Sequence, residues 1–503
     1  DDFTAPDEPT FFETGREGTP KYTGEIPFTN FEQLNGFAKV GYQGGFGSVH
    51  AIYDHWENDH NFLLPVGGPK GSGENPPVGL GQHIAHDNAH VGASLTGAGY
   101  VVRPKVSYQR SVRQSAGAGT TFESESVSWP VDLVKDVYTG RLELLHPEVL
   151  GGLEGTVGAE LRREETGVRG EEMLEPPSTI TNLGVFAFED WNPGDLTLSA
   201  GGRFDYRRME AEANERASDP DLLENTYAVG SGAFGANYRL HPAVALASNV
   251  SFGFRAPSMF ELYASGVHGG VAAFQQGAPR LDPERSISTD LSLRLRADRT
   301  RGKVTVYRNR ILNYVYLRNT GLERGDLPVF RSAQTDAVIQ GIDAGGRFDL
   351  TGWLQLGGQA SFITSTGEGI DEGSDAALPL LPADRLESFV RLHGGEFGRL
   401  RTTHLRIDLV HTLEKEAAGR YEPFAQFDFG PPFGTASTEP YTLVSVEAGA
   451  TVRVYDVPVS LHVTGENLFD TAYRDFLDTY KGYALSAGRN FGFKISVPVA
   501  RSE

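Results

Sequence analysis

The stretch YTLVSVEAGATVRVYDVPVSLHVTGE, Tyr441–Glu466, decides the fold. Its second half sets Val457, Val459, Leu461 and Val463 on one face and Pro458, Ser460, His462, Thr464 and Glu466 on the other. Its first half does the same, with Val444, Val446, Ala448, Ala450, Val452 and Val454 against Ser445, Glu447, Gly449, Thr451 and Arg453. A period of two is the mark of a strand with one apolar face. Only Tyr455 and Asp456 separate the halves, which predicts a tight hairpin.

The pattern spreads outward from this hairpin. LTLSAGGRFDY alternates Leu196, Leu198, Ala200, Phe204 and Tyr206 with polar residues, and NFGFKISVPV alternates Phe491, Phe493, Ile495, Val497 and Val499. About nineteen such segments run from Phe31–Gln43 to Ala484–Val499, many longer than the roughly 5–6 residues of a soluble strand. Runs of about 9–11 residues or more, apolar on one face, suit a tilted crossing of a bilayer. The connections alternate. Short turns are expected near Gly44–Phe46, Thr96–Ala98, Pro147–Gly152, Pro193–Asp195, His241–Ala243, Arg299–Gly302, Thr351, Gly394–Gly398 and Tyr455–Asp456. Long Gly-, Pro- and Asp-rich connections are expected near residues 63–81, 114–128, 168–177, 213–222, 258–286, 319–328, 368–384, 416–440 and 476–483. Such asymmetry belongs to transmembrane barrels, with short turns on one side and long loops on the other, and not to sandwiches or propellers. The expected fold is therefore all-β, a transmembrane antiparallel β-barrel.

Composition excludes other classes. The 503 residues contain no apolar run of about 18, so no helical span is expected. There is no cysteine, hence no disulfide framework, thiol nucleophile or cysteine metal site. A net charge of -21 argues against nucleic acid, which requires a basic face. The acidic runs Glu210–Asn225 and Gly367–Asp375 read as solvated loops. Neither a nucleophile motif nor a phosphate-binding loop stands out, so an enzyme is not expected.

Two separated motifs identify a resemblance. GENLFDTAYRDF (Gly465–Phe476), with the closing SAGRNFGFKISV, resembles the C-terminal signature of TonB-dependent outer-membrane transporters. FGFRAPSMFELYASG (Phe252–Gly266), followed by LDPERSISTDLSLRLR (Leu281–Arg296), is similar to a second motif of that family. The resemblance covers about Phe31 to Val499. Carried over as structural positions are Arg255, Pro257, Glu261, Glu284, Asn467, Phe469, Asp470, Tyr473, Gly488, Arg489 and Asn490. Asn467 and Asp470 should bend the backbone, Phe469, Tyr473 and Phe476 should sit at a membrane boundary, and Glu466 and Arg489 should point inward.

The family pattern has 22 strands and an N-terminal plug with a TonB-contacting segment. The expectation here is therefore a barrel portion, with residues 1–30 an extracellular loop and 31–503 the barrel, the plug and first three strands falling outside this sequence. The family's terminal aromatic is replaced by PVARSE. The resemblance implies a receptor in the bacterial outer membrane, among lipid and lipopolysaccharide, taking up a scarce ligand with energy from the TonB complex. The other reading is a plugless or split barrel, completed by another chain, that acts as a structural component, binding protein or passive pore.

No resident cofactor is expected. An iron chelate is one expected cargo, and zinc, copper or nickel the other. Six of the thirteen histidines fall between His50 and His90. By parity His86, Asn88 and His90 face the lumen, as do His50, Asp54 and His60 on the partner strand. Imidazoles beside a carboxylate suit such metals, and the segment loosely resembles a zinc-uptake branch. The competing reading is that these residues simply line a wet wall. His268, in SGVHGGVAAFQQG, is a further candidate in a loop.

Overall fold

A computed structural model describes residues 2, 4–6, 24–64, 78–149, 151–213, 223–268, 273–325, 327–371, 374–396, 398–418, 437–455, 457–478, 480–481 and 484–498. In chain order the strands are β1 (Phe31–Gly44), β2 (Gly47–Leu64), β3 (Val78–Gly97), β4 (Tyr100–Ser115), β5 (Val131–Val149), β6 (Leu153–Val168), β7 (Ser178–Trp191), β8 (Leu196–Ala211), β9 (Glu224–His241) and β10 (Val244–Arg255). There follow a short helix α1 (Met259–Tyr263), β11 (Ser265–His268), β12 (Ala273–Gln276), β13 (Glu284–Arg296), β14 (Thr300–Arg324), β15 (Leu327–Asp349) and β16 (Leu354–Asp371). The chain ends with β17 (Ser374–Ala376), β18 (Arg385–His393), β19 (Leu400–Thr412), β20 (Tyr441–Val454), β21 (Val457–Glu466) and β22 (Asn490–Ser496).

Setting aside the short β11, β12 and β17, nineteen strands form one wall in which each pairs antiparallel with the next. β20 and β21 carry the bounds read from the opening stretch. Among the described residues, β1 pairs only with β2, and β22 only with β21.

The ladders sort side chains by face. From β10 to β18 the register runs Leu246, Leu293, Val304, Ala344, Ala360, Leu386 without a break. These residues and their neighbours leave large apolar groups bare: Phe493 is 66% and Val106 67% exposed. In water such a band would be a liability; in lipid it is the required surface, because the backbone groups of each strand between β1 and β22 are satisfied by its two neighbours. Where the band ends on β2–β5, Tyr53, Tyr108 and Tyr138 stand side by side through Ala89. Tyr53 and Tyr108 donate their hydroxyls to Asp87 and Asp136 at 2.6 Å. Apolar rings with polar tips mark the edge of a bilayer.

Several expectations need correction. The 319–328 connection is not a long loop. β14 and β15 run for 25 and 23 residues and end in a tight turn between Arg324 and Leu327. At about 3.3 Å per residue β14 spans roughly 80 Å, far beyond an apolar band of about 25 Å, so the pair projects past the membrane. The last strand is Asn490–Ser496, shorter than Ala484–Val499. Residues 484–489 are irregular because Ala484, Leu485 and Ser486 are buried and Ser486 N–H donates to the Tyr473 carbonyl. Among the described residues there is one helical turn, α1, which packs with Met209, Tyr227, Leu281 and Val315 on the inner side of the wall's long-loop end. A second apolar cluster there joins Tyr316 and Ala337 to Ile370 near the end of β16 and Leu378 in the connection that follows. Parts of the 63–81, 213–222, 258–286 and 416–440 connections, Asp456 and residues 499–503 lie outside the described residues.

Candidate functional site

β2 and β3 pair without a bulge from Gly47–Leu95 to Leu64–Val78. Because Tyr53 and Ala89 belong to the lipid face, the register puts His50, Asp54, His60, His86, Asn88 and His90 on the inner face. His50 and His90 meet edge to face, ring centroids 5.6 Å apart. The others diverge. Asp54 accepts from Asn88 Nδ2 at 2.8 Å, His86 Nδ1 bonds Ser111 Oγ at 2.8 Å, and His60 Nδ1 bonds Asn58 Oδ1 at 2.7 Å. His268 ends β11, in the connection between β10 and β13. The structure thus joins two of the six candidates and gives three of the rest hydroxyl or amide partners.

Two other groups bring potential ligands within 4.8 Å of one another. Glu57, Asp59 and His83 lie on the outer face above the tyrosine row, beside His55, which bonds Asp87 at 2.9 Å and Glu57 at 3.3 Å. His404, Glu447 and His462 lie on the inner face of β19–β21, with His404 Nε2 2.9 Å from Glu447 Oε1. Glu447 and His462 are legible as polar-face residues in the opening stretch. His404 could have been found by the same signal, since Leu405, Ile407 and Leu409 alternate with His404, Arg406 and Asp408; the bulge between Arg401 and His404 shifts only the first residues of β19.

The inner face is also rich in ion pairs. Arg141 bonds Glu143 and Glu160, Arg203 bonds Glu160 and Asp205, and Arg406 grips Asp408 while lying 3.9 Å over the Phe389 ring.

The motif residues meet at the mouth. Arg255 donates Nε and Nη2 to both Glu284 oxygens at 2.7 Å and Nη1 to Glu261 at 2.8 Å. Glu261 in turn accepts the Ser258 N–H at 2.7 Å and donates its own N–H to Ser258 Oγ, the capping box of α1. Pro257 is fully buried beneath. Glu284 also accepts the Val315 N–H at 2.7 Å, next to an irregularity of β14 at Asn313.

Asn467 and Asp470 both take positive φ, 45° and 55°, and so turn the chain. Asn467 Oδ1 accepts the Thr471 N–H, and Asp470 Oδ1 accepts the Arg489 N–H, both at 2.8 Å. Phe469 is 75% exposed, and Tyr473 stacks on Tyr441 at 4.6 Å. Phe476 departs from the expected membrane boundary. It is 2% exposed under the Lys481 ammonium, 3.8 Å from its ring, because the loop folds back and buries both. Gly488 donates its N–H to the Thr4 carbonyl, and Asn490 pairs with Glu466, while Arg489 Nη2 stands 3.7 Å from Asp470.

The family model for the β-barrel of TonB-dependent receptor-like proteins matches residues 33–468. The chain belongs to the TonB-dependent receptor family. This family places the protein in the outer membrane, as a receptor and not an enzyme. In barrels of this kind short turns are periplasmic and long loops extracellular.

Solved structures share the fold. The FrpB iron transporter of Neisseria meningitidis aligns with a TM-score of 0.70 and 12% identity, over 96% of this chain and 75% of that one. The copper transporter OprC aligns with a TM-score of 0.67 and 15% identity, over 93% and 80%. A mutant of the ferric enterobactin receptor PfeA from Pseudomonas aeruginosa aligns with a TM-score of 0.67 and 14% identity, over 97% and 73%. At such identities the likeness concerns fold.

Proposed function

We propose that this receptor takes up a scarce metal, as a free ion or a chelate, with energy supplied through TonB. The observation that carries the reading is the wall itself: a membrane-length barrel of this family whose inner face carries imidazoles, carboxylates and arginines. The likeness to copper, iron and ferric-enterobactin proteins supports metal as the cargo class. In this reading extracellular loops capture the ligand, the inner wall offers it polar and ligating groups, and a plug gated through TonB admits it to the periplasm. The wall stays rigid, since its hydrogen bonds are all internal.

The test is accumulation of labelled copper, zinc and ferric chelates by cells that lack their own receptors and express the gene. Uptake of one of these that disappears in a TonB-deficient strain is expected. Equal accumulation with and without TonB would replace this reading with the passive pore, and an ohmic conductance in planar bilayers would then be its signature.

A further inference from the structure

We infer that His404, Glu447 and His462 form a binding site for a divalent transition metal on the inner wall, taking Cu2+, Ni2+ or Zn2+ through two imidazole nitrogens and a carboxylate oxygen. The three residues come from adjacent strands: β19 pairs with β20 at His404↔Gly449, and β20 with β21 at Gly449↔His462. Their ligand atoms all lie within 4.8 Å of one another. Donors about 2.0–2.1 Å from one tetrahedral ion stand roughly 3.3 Å apart. Small side-chain rotations therefore close the set on an ion and leave a fourth position open.

The local backbone is arranged around this cluster. From His404 onward β19 alternates without a break, His404, Arg406 and Asp408 inward and Leu405, Ile407 and Leu409 to lipid, and a bulge between Arg401 and His404 closes this run at its periplasmic end. Thr402, within the bulge, has φ 47°, a conformation rare for a β-branched residue. Opposite stands Gly449, where a Cβ would collide with the His404 imidazole. The imidazole is thereby seated deep in the wall, 10% exposed, with its ring tilted 54° to that of His462 and 5.9 Å away. The glycine opposite is what lets the imidazole lie this close to Glu447 and His462.

The donor set selects the ion. Ca2+ and Mg2+ require several oxygens and find one carboxylate here, whereas imidazole suits zinc, copper and nickel. The cations nearby are Arg406, opposite Glu447 but held by Asp408, Arg391 opposite Arg406, and Lys494 opposite His462. A single carboxylate among these charges keeps the binding reversible. The site sits on the periplasmic half of the wall, near the starts of β19 and β21. It goes beyond the transport reading, and binding is read in purified protein without any uptake, so either can fail alone.

The test titrates the purified full chain in detergent with Cu2+, followed by calorimetry and electron paramagnetic resonance. One site with hyperfine coupling to two nitrogens is expected. His404→Ala and His462→Ala should each weaken it by about tenfold or more and leave one coupled nitrogen. Gly449→Ala, which removes no ligand, should weaken it too, and His86→Ala should not. Unchanged binding in the two histidine variants, or equal binding of Mg2+, would overturn the assignment. Should a variant fail to fold, the wild type decides by mass spectrometry: Cu2+ must protect His404 and His462 from diethylpyrocarbonate, and equal modification with and without Cu2+ would reject the site.

Discussion

At the scale of single residues, the mouth depends on Glu284. Its carboxylate holds Arg255 at two points and satisfies the Val315 N–H within the wall. Glu284→Ala takes two of the guanidinium's three carboxylate bonds, leaving the one to Glu261, and orphans a buried amide. Since the guanidinium is partly exposed, the cost is moderated to about 2 kcal/mol; denaturant unfolding in detergent would check it. Asp478, in the long loop before β22, illustrates the opposite balance. Burial pushes its carboxyl above the usual 3.8, despite bonds from the Tyr480 N–H and the Ser486 hydroxyl. A raised carboxyl stabilises the fold in its protonated form, fully below the unfolded value and progressively less as pH rises through the folded one. The protection of the Tyr480 and Lys481 amides, taken relative to their base-catalysed intrinsic exchange rates, should therefore fall as pH rises above about 4, and the Asp478→Asn variant should show little such fall. The motif residues were legible as a set, but their partners were not: Arg255 and Glu284 are far apart in sequence and meet only because β10 pairs with β13.

At the scale of elements, parity governs tolerance to charge. Leu291 and Arg294 share β13 but face opposite sides of the wall, Leu291 paired with Val306 in the lipid band and Arg294 with Lys303 inside. Leu291→Arg should cost about 2–4 kcal/mol, while Arg294 is already an arginine on the inner face; refolding equilibria into vesicles would measure the difference. A cost for Leu291→Arg within a few tenths of zero would contradict the assignment of faces. The helix α1 is a single turn sustained by its cap and by packing. Ser258→Ala, which removes the bond to the Glu261 N–H, should cost about 1 kcal/mol. Because Glu261 also anchors Arg255, Glu261→Ala should cost more, as a thermal melt of the pair of variants would register.

At the scale of the whole molecule, wall and loops are separable. β10 pairs directly with β13 over twelve residues, so residues 256–283 are an insertion whose α1 folds into the mouth. Replacing residues 258–280 with a turn of about four residues should leave the barrel folded, with its compact, heat-modifiable migration in detergent gels, while abolishing ligand uptake in cells. Loss of the compact form would show instead that the mouth cluster is needed for assembly. The reason to expect separability is energetic: the hydrogen bonds of the long strands close between neighbours, and the insertion's β12 pairs with β15 only at Val329–Arg331, in the part of the hairpin that projects past the membrane.

Alternation of apolar and polar residues by itself determined the nineteen long strands, their order and the face most of their side chains take, because a period of two in lipid has one stable solution, an antiparallel wall with its apolar side outward. It even placed Glu447 and His462 on the inner face. Tertiary structure alone decided which residues meet. The bulge at Thr402 reverses parity within one strand, the β14–β15 hairpin outgrows the membrane, and the loop after β21 buries Phe476 and Lys481. Each of these depends on contacts between strands or loops distant in sequence, which a local period cannot encode.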